Sequence, residues 1–153
     1  MRKMLLSISV ILLSLNVNAQ VSDAPNDWDL IQKTINLYID GQATGDSVKV
    51  GSSFDDSWQL KYFADNELKT VTKAQYIVSF TAHAKPKNWS GRTVFIDITN
   101  NVAIAKVEIS TATLLFVDYF HFIKTNKGWL IVDKISTRTP HKTVEVPVTK
   151  AKQ

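Results

Sequence analysis

From Trp28 onward the apolar positions fall at helical spacing: Trp28, Ile31, Ile35, Tyr38 and Ile39, with Gln42 on the same stripe. Asn26 or Asp27 is placed to cap the first turn and Gly45 to end the last, so the pattern predicts an amphipathic helix of roughly four turns. Asp46 can cap a short second helix through Val48 and Val50 toward Phe54. From Trp58 to Phe63 and from Leu68 to Thr72, aromatic and β-branched residues flank Asp65-Asn66-Glu67, the signature of two strands around a tight turn. Thr72-Lys73-Ala74-Gln75 has the form of a capping box, and Tyr76, Ile77, Phe80 and Ala84 beyond it predict a third helix ended by Lys85-Pro86-Lys87.

The remainder reads as β. Arg92 to Thr99 and Val102 to Thr111 are joined by Asn100-Asn101, residues that tolerate the positive φ of a two-residue hairpin turn. That turn sets Ile98 against Ala103, Ile96 against Ala105 and Val94 against Val107, leaving one wholly apolar face. A further turn at Ala112-Thr113 sets Ile109 against Phe116, Val107 against Asp118, Ala105 against Phe120 and Ala103 against Phe122, small residues meeting large ones. The stretch Leu114 to Thr137 forms a long hairpin. With Asn126-Lys127-Gly128 as a three-residue loop, Phe122 pairs with Val132, Phe120 with Lys134 and Asp118 with Ser136. Asp118 and Lys134 then share the core face, diagonal to one another. The opposite face carries Phe95, Asp97, Ile104, Lys106, Glu108, Tyr119, His121, Ile123, Trp129, Ile131 and Asp133; it is mixed, yet too aromatic for a merely solvated surface.

Ahead of these elements, Arg2 and Lys3 precede an apolar run from Met4 to Leu15 and then Val17-Asn18-Ala19, the pattern of a signal peptide spanning residues 1–19 and cleaved before Gln20. The run is shorter than the ~20 apolar residues a membrane-spanning helix needs. An exported protein, periplasmic or secreted, is therefore expected, with no membrane insertion. Residues 20–139 form one domain, and 140–153, with Pro140, Pro147 and several lysines, an extended or mobile tail. The 153 residues contain no cysteine, so neither a lipid anchor nor disulfides are in play and stability rests on the core. Lys and Arg number 18 against 14 Asp and Glu; losing Arg2 and Lys3 leaves 16 against 14, too balanced for a nucleic-acid-binding surface.

Helix, short helix, strand pair, helix and long antiparallel strands, in that order, resemble the nuclear transport factor two-like cone fold. The resemblance is closer to its “putative lumazine-binding” branch. It is carried by Tyr38-Ile39-Asp40-Gly41 with Gly45-Asp46, Phe54, Trp89-Ser90-Gly91, Asp97-Ile98, Ala103 to Val107, Asp118-Tyr119-Phe120, Lys124, and Gly128-Trp129 through Lys134. It implies an α+β fold with helices packed on a strongly curved antiparallel or mixed sheet that encloses a pocket. It also implies dimerisation through the sheet, so Tyr119, His121, Ile123, Trp129 and Ile131 are the expected homodimer interface. The superfamily spans isomerases, dehydratases, cyclases and proteins without known activity, and fold alone does not choose among them. Many relatives carry a His after the aromatic that matches Phe54; this chain has Asp55-Asp56.

Asp118 stands where related isomerases and dehydratases place acid and base groups. Three readings of Asp118 with Lys134 remain open: a closed structural ion pair, a pair of ligand-recognition groups, or a catalytic pair in which Lys134, its pKa depressed by burial, polarises an oxyanion. The expected function is binding of a small organic molecule between sheet and helices; the alternatives are an isomerase- or dehydratase-like enzyme using Asp118, and a dimeric interaction module. Phe54, Trp58, Tyr76, Phe80, Phe116 and Phe120 are the expected pocket lining, with Trp28 and Tyr62 as further candidates at its mouth. His121 faces Asp133, but on the outer face; His83 ends a helix and His141 lies in the tail. Three histidines so dispersed, without cysteine, predict no metal site, and no cofactor fingerprint is present. Asn88-Trp89-Ser90 matches a glycosylation sequon.

Overall fold

Asn26 caps the first helix through its side chain, which accepts from the Asp29 amide, and Asp27 and Asp29 place negative charge at the positive end of the helix dipole. In the computed structural model, which describes residues 26–142, this helix is α1 (Asp27–Thr44). It stops at Gly45, whose φ of 65° is the left-handed end that glycine adopts without strain. Ile31, Ile35 and Tyr38 form its buried stripe. Asp46 caps α2 (Ser47–Ser52) by accepting from the Val48 and Lys49 amides. The expected leader and all but the first residues of the expected tail lie outside the described residues.

Six strands follow: β1 (Phe54–Ala64), β2 (Glu67–Thr72), β3 (Ser90–Thr99), β4 (Val102–Ser110), β5 (Leu114–Thr125) and β6 (Gly128–Pro140), with α3 (Lys73–Ile77) between β2 and β3. They make one curved mixed sheet in the order β2-β1-β6-β5-β4-β3. Only β1 and β6 pair in parallel. The helices cover the concave face, and the core joins Ile31, Ile35 and Tyr38 of α1 to Trp58, Val107, Phe120, Phe122 and Ile131 of the sheet. Ala103 and Ala105 face Phe122 and Phe120, the small-against-large pairing expected of this hairpin. Asn100 has φ 54°, as its turn requires. Pro140, expected to open the tail, is the last residue of β6.

Three details depart from the pattern-based expectation. A bulge between Thr93 and Phe95 pairs Thr93, not Val94, with Val107 and leaves Val94 exposed. The extra residue of the last hairpin lies not in its turn but in a bulge at Val132 on β6, opposite the step from His121 to Phe122. Lys124 pairs with Trp129 and Phe122 with Ile131, while Phe120 still pairs with Lys134 and Asp118 with Ser136. The parity of residues 129–131 is therefore inverted: Trp129 and Ile131, expected on the outer face, are 2% and 0% exposed in the core. Finally, α3 keeps its Thr72–Gln75 capping box but ends at Ile77 rather than near Ala84. The following chain is drawn across the end of α1, where the His83 amide donates to the Thr44 carbonyl. The Thr81 carbonyl occupies the space that a side chain at position 45 would need. His83 thus ends no helix.

Candidate functional site

Tertiary geometry gathers five polar side chains from four elements at the inner face of the sheet. Asp118 on β5 and Lys134 on β6 point inward because each lies at core parity beyond the bulge, and they are 2% and 3% exposed. Asp118 Oδ2 accepts from the Tyr38 hydroxyl of α1 at 2.7 Å and from Lys134 Nζ at 3.4 Å, and Oδ1 accepts from Ser136 Oγ at 2.6 Å. Lys134 Nζ also donates to the Tyr38 hydroxyl at 2.8 Å and to the Tyr76 hydroxyl of α3 at 3.1 Å. All three ammonium hydrogens thereby have acceptors. Tyr76 Oη also pairs with the Gln42 side-chain amide at 2.5 Å.

Burial of the Tyr38 phenol, reinforced by the adjacent Asp118 carboxylate, raises its pKa well above 10.0, so it is a donor at any ordinary pH. Burial works to lower the pKa of Lys134, but the charge of Asp118 and then the contact with Tyr76 outweigh it, and the net shift is upward. This reverses the expectation of a depressed lysine. Lys134 is a fixed cation held by a counter-ion, unsuited to act as a base.

These groups form the closed end of a cavity of about 840 Å³. Its walls are Leu60, Tyr62, Trp89, Ile109 and Phe116, and it opens between the β1–β2 turn (Phe63 to Asp65) and the end of β6 at Thr137 and Arg138. Of the expected lining residues, Tyr76 and Phe116 line it, as does Tyr62. Phe54, Trp58 and Phe120 do not. They lie behind it in the core, Phe54 stacked on Trp58 at 4.0 Å and Phe120 edge-on to Tyr38 at 5.0 Å. Phe80 lines a separate shallow depression with Gln42, Tyr76 and His83, because α3 ends before reaching it. Trp28 is half exposed and lines neither.

Tyr38, Gln42, Trp89, Ser136 and Arg138 also line the cavity, although the sequence pattern does not mark them as site residues. A signal existed for Tyr38: a phenol on an apolar helix stripe needs a buried hydrogen-bond partner, and Asp118 was the polar residue available on the core face. On the outer face, Tyr119, Ile123 and His121 are exposed as expected; His121 Nδ1 lies 3.5 Å from Asp133 Oδ2, and Asp133 Oδ1 accepts from Lys61 Nζ at 2.5 Å. This surface cluster is outside the cavity. Among the described residues no group of side chains is arranged to hold a metal ion, and no helix is long and apolar enough to cross a membrane.

A curved mixed sheet wrapped on one long helix, with a polar cluster at the closed end of its cavity, defines a nuclear transport factor two-like cone protein. The family model described as “Putative lumazine-binding” matches residues 26–136, and the chain belongs to that family. Solved structures similar in fold include an NTF2-like protein of unknown function from Shewanella baltica (TM-score 0.68, 20% identity, 75% of this chain and 95% of that one). Another is an NTF2-like protein of unknown function from Methylobacillus flagellatus (0.65, 23%, 80% and 98%). A ketosteroid isomerase-like protein from Erwinia carotovora atroseptica is also similar (0.58, 11%, 75% and 98%). No curated protein matches the chain.

Proposed function

We propose that the protein binds a small, flat organic molecule in this cavity, with the Lys134–Tyr76–Tyr38–Asp118 network reading its polar edge. The observation that carries the proposal is a buried ion pair whose tyrosine partner, Tyr76, lines an open cavity of about 840 Å³. Ligand sites are typically ~300–1,000 Å³, mostly apolar, with a few placed polar groups. The family's description names a ring ligand, and an aromatic-walled cavity suits one. Binding is favoured over proton abstraction because Asp118 serves beneath the cavity as counter-ion to Lys134 and acceptor to Tyr38 and Ser136.

Thermal melts against a panel of planar heterocycles and aromatic acids test this. A ligand at about a hundred times its Kd stabilises by about 2.7 kcal/mol, a rise in Tm on the order of 5–10 °C for a domain of this size. Tyr76→Phe is expected to fold, at a cost of about 1–3 kcal/mol for the Lys134 hydrogen left without its acceptor, and to bind about tenfold more weakly. No shift with any compound would refute the proposal.

Two further parts rest on other features. We infer a homodimer through the outer sheet face, where Phe95, Ile104, Tyr119, Ile123 and Ile135 on four adjacent strands are each at least 40% exposed. Light scattering is expected to give a dimer mass that Tyr119→Glu with Ile123→Glu halves; a wild-type monomer would exclude it. Export rests on residues 1–19 alone and implies a protein beginning at Gln20 outside the cytoplasm.

A further inference from the structure

Along β6 the inward positions alternate from the closed end of the cavity to its mouth: Lys134, Ser136, Arg138. The first two are committed. Lys134 has Asp118 as counter-ion, and Ser136 donates to the same carboxylate. Arg138 is directly opposite Phe116, which also lines the cavity, and it has neither an ion pair nor a side-chain hydrogen bond among the described residues. The contrast with the rest of the sheet is sharp. Lys61, Lys69, Arg92, Lys106, Lys124 and Lys134, one on each strand, all have carboxylate partners.

The acidic group nearest the mouth, Asp65, belongs to the exposed β1–β2 turn and makes no ion pair with the guanidinium. At the closed end Asp118 and Lys134 cancel. A ligand lying along β6 therefore meets a neutral polar cluster inside and, beside Asp65, a planar cation without an ion-pair partner among the described residues outside.

Building on the reading of this cavity as a ligand site, we propose that its ligand is a flat organic acid. A carboxylate is held by Arg138 at the mouth, and a ring of about two fused cycles lies against Phe116 with its far edge toward the Tyr76 hydroxyl. The spacing fits: four residues of strand separate Lys134 from Arg138, about 13 Å, the length of such an acid with a hydrogen bond at each end. A guanidinium fork matches a carboxylate in two parallel hydrogen bonds and leaves a neutral ester or amide without its charge partner.

The test compares 6-hydroxy-2-naphthoate with 6-hydroxy-2-naphthamide and 6-hydroxy-2-naphthyl phosphate by calorimetry, the ring hydroxyl supplying the far-edge group that Tyr76 meets. The purified protein is expected to prefer the carboxylate over the amide by about tenfold, a value set by a charged hydrogen-bond pair in partial contact with water. Arg138→Gln should weaken the carboxylate by about tenfold and bring that ratio to about one. Tyr76→Phe should weaken both compounds alike and keep their ratio. Equal binding of carboxylate and amide, or a preference that survives Arg138→Gln, overturns the assignment while leaving the cavity a binding site. Tighter binding of the phosphate than of the carboxylate overturns the carboxylate in favour of a phosphorylated ligand. Failure of all three compounds, together with an unresponsive melting panel, removes the cavity reading itself.

Discussion

Asp118→Ala is expected to remove about 3–5 kcal/mol of folding stability, because it leaves the Lys134 ammonium buried without its counter-ion. The geometry makes this the costliest polar change in the molecule. Asp118 and Lys134 are nearly inaccessible, and the carboxylate is the shared acceptor of Tyr38, Ser136 and Lys134. Its removal strands three donors at once, each of which keeps a desolvation penalty. Against a typical total of about 5–15 kcal/mol, the variant would be marginal at 37 °C, and its urea midpoint should fall by about 2 M or more. Asp118→Leu combined with Lys134→Met should recover the part of the loss that comes from the unpaired ammonium, since exchanging a buried pair for apolar residues of similar volume is often neutral. That recovery separates the stability of the fold from its function: the double variant should fold and not bind. A loss below about 1 kcal/mol in Asp118→Ala would mean that water reaches the pair freely and that it is not a buried network.

Trp129→Ala is expected to cost a similar amount, about 3–5 kcal/mol, the range for emptying a large aromatic site in a packed core. Trp129 is 2% exposed, and its Nε1 donates at 2.9 Å to Asp27 Oδ1 at the start of α1, so the substitution also unties the helix from the last hairpin. The effect should appear in denaturant melts and not in oligomeric mass. The outward placement suggested by simple alternation predicts the reverse, a stable fold with lost association. A Trp129→Ala variant that kept wild-type stability would show that the bulge at Val132 is misplaced.

That bulge marks where the chain was legible and where it was not. Hairpin registers governed by a positive-φ turn and by an apolar face were readable: Asn100 sets Ile98 against Ala103, and small residues on β4 meet phenylalanines on β5. The placement of Asp118 and Lys134 on one face was readable for the same reason, since the residue count from Phe120 to Lys134 is the same wherever the extra residue sits. Its position was not readable, because a bulge at Val132 and a longer loop at Gly128 fit the same pattern up to the point where Trp129 and Ile131 change sides. Nor was the length of α3, for a capping box starts a helix and says nothing of the tertiary bond from His83 to Thr44 that ends it. The network lies further out of reach: Tyr38 meets Asp118 across 80 positions, and Tyr76 meets Lys134 across 58. A cavity is space that side chains leave unfilled, and periodicity records only which residues turn inward. Hence Phe54, Trp58 and Phe120 were expected at the pocket wall and lie behind it.

The most direct test is a crystal structure of the protein soaked with the most stabilising compound from the melting panel. The ligand is expected in the cavity, with one oxygen within hydrogen-bond distance of Tyr76 Oη and the Lys134–Asp118 pair unchanged beneath it. A cavity closed by side chains, with the compound bound elsewhere and Tyr76 sealed from solvent, would contradict ligand binding at this site.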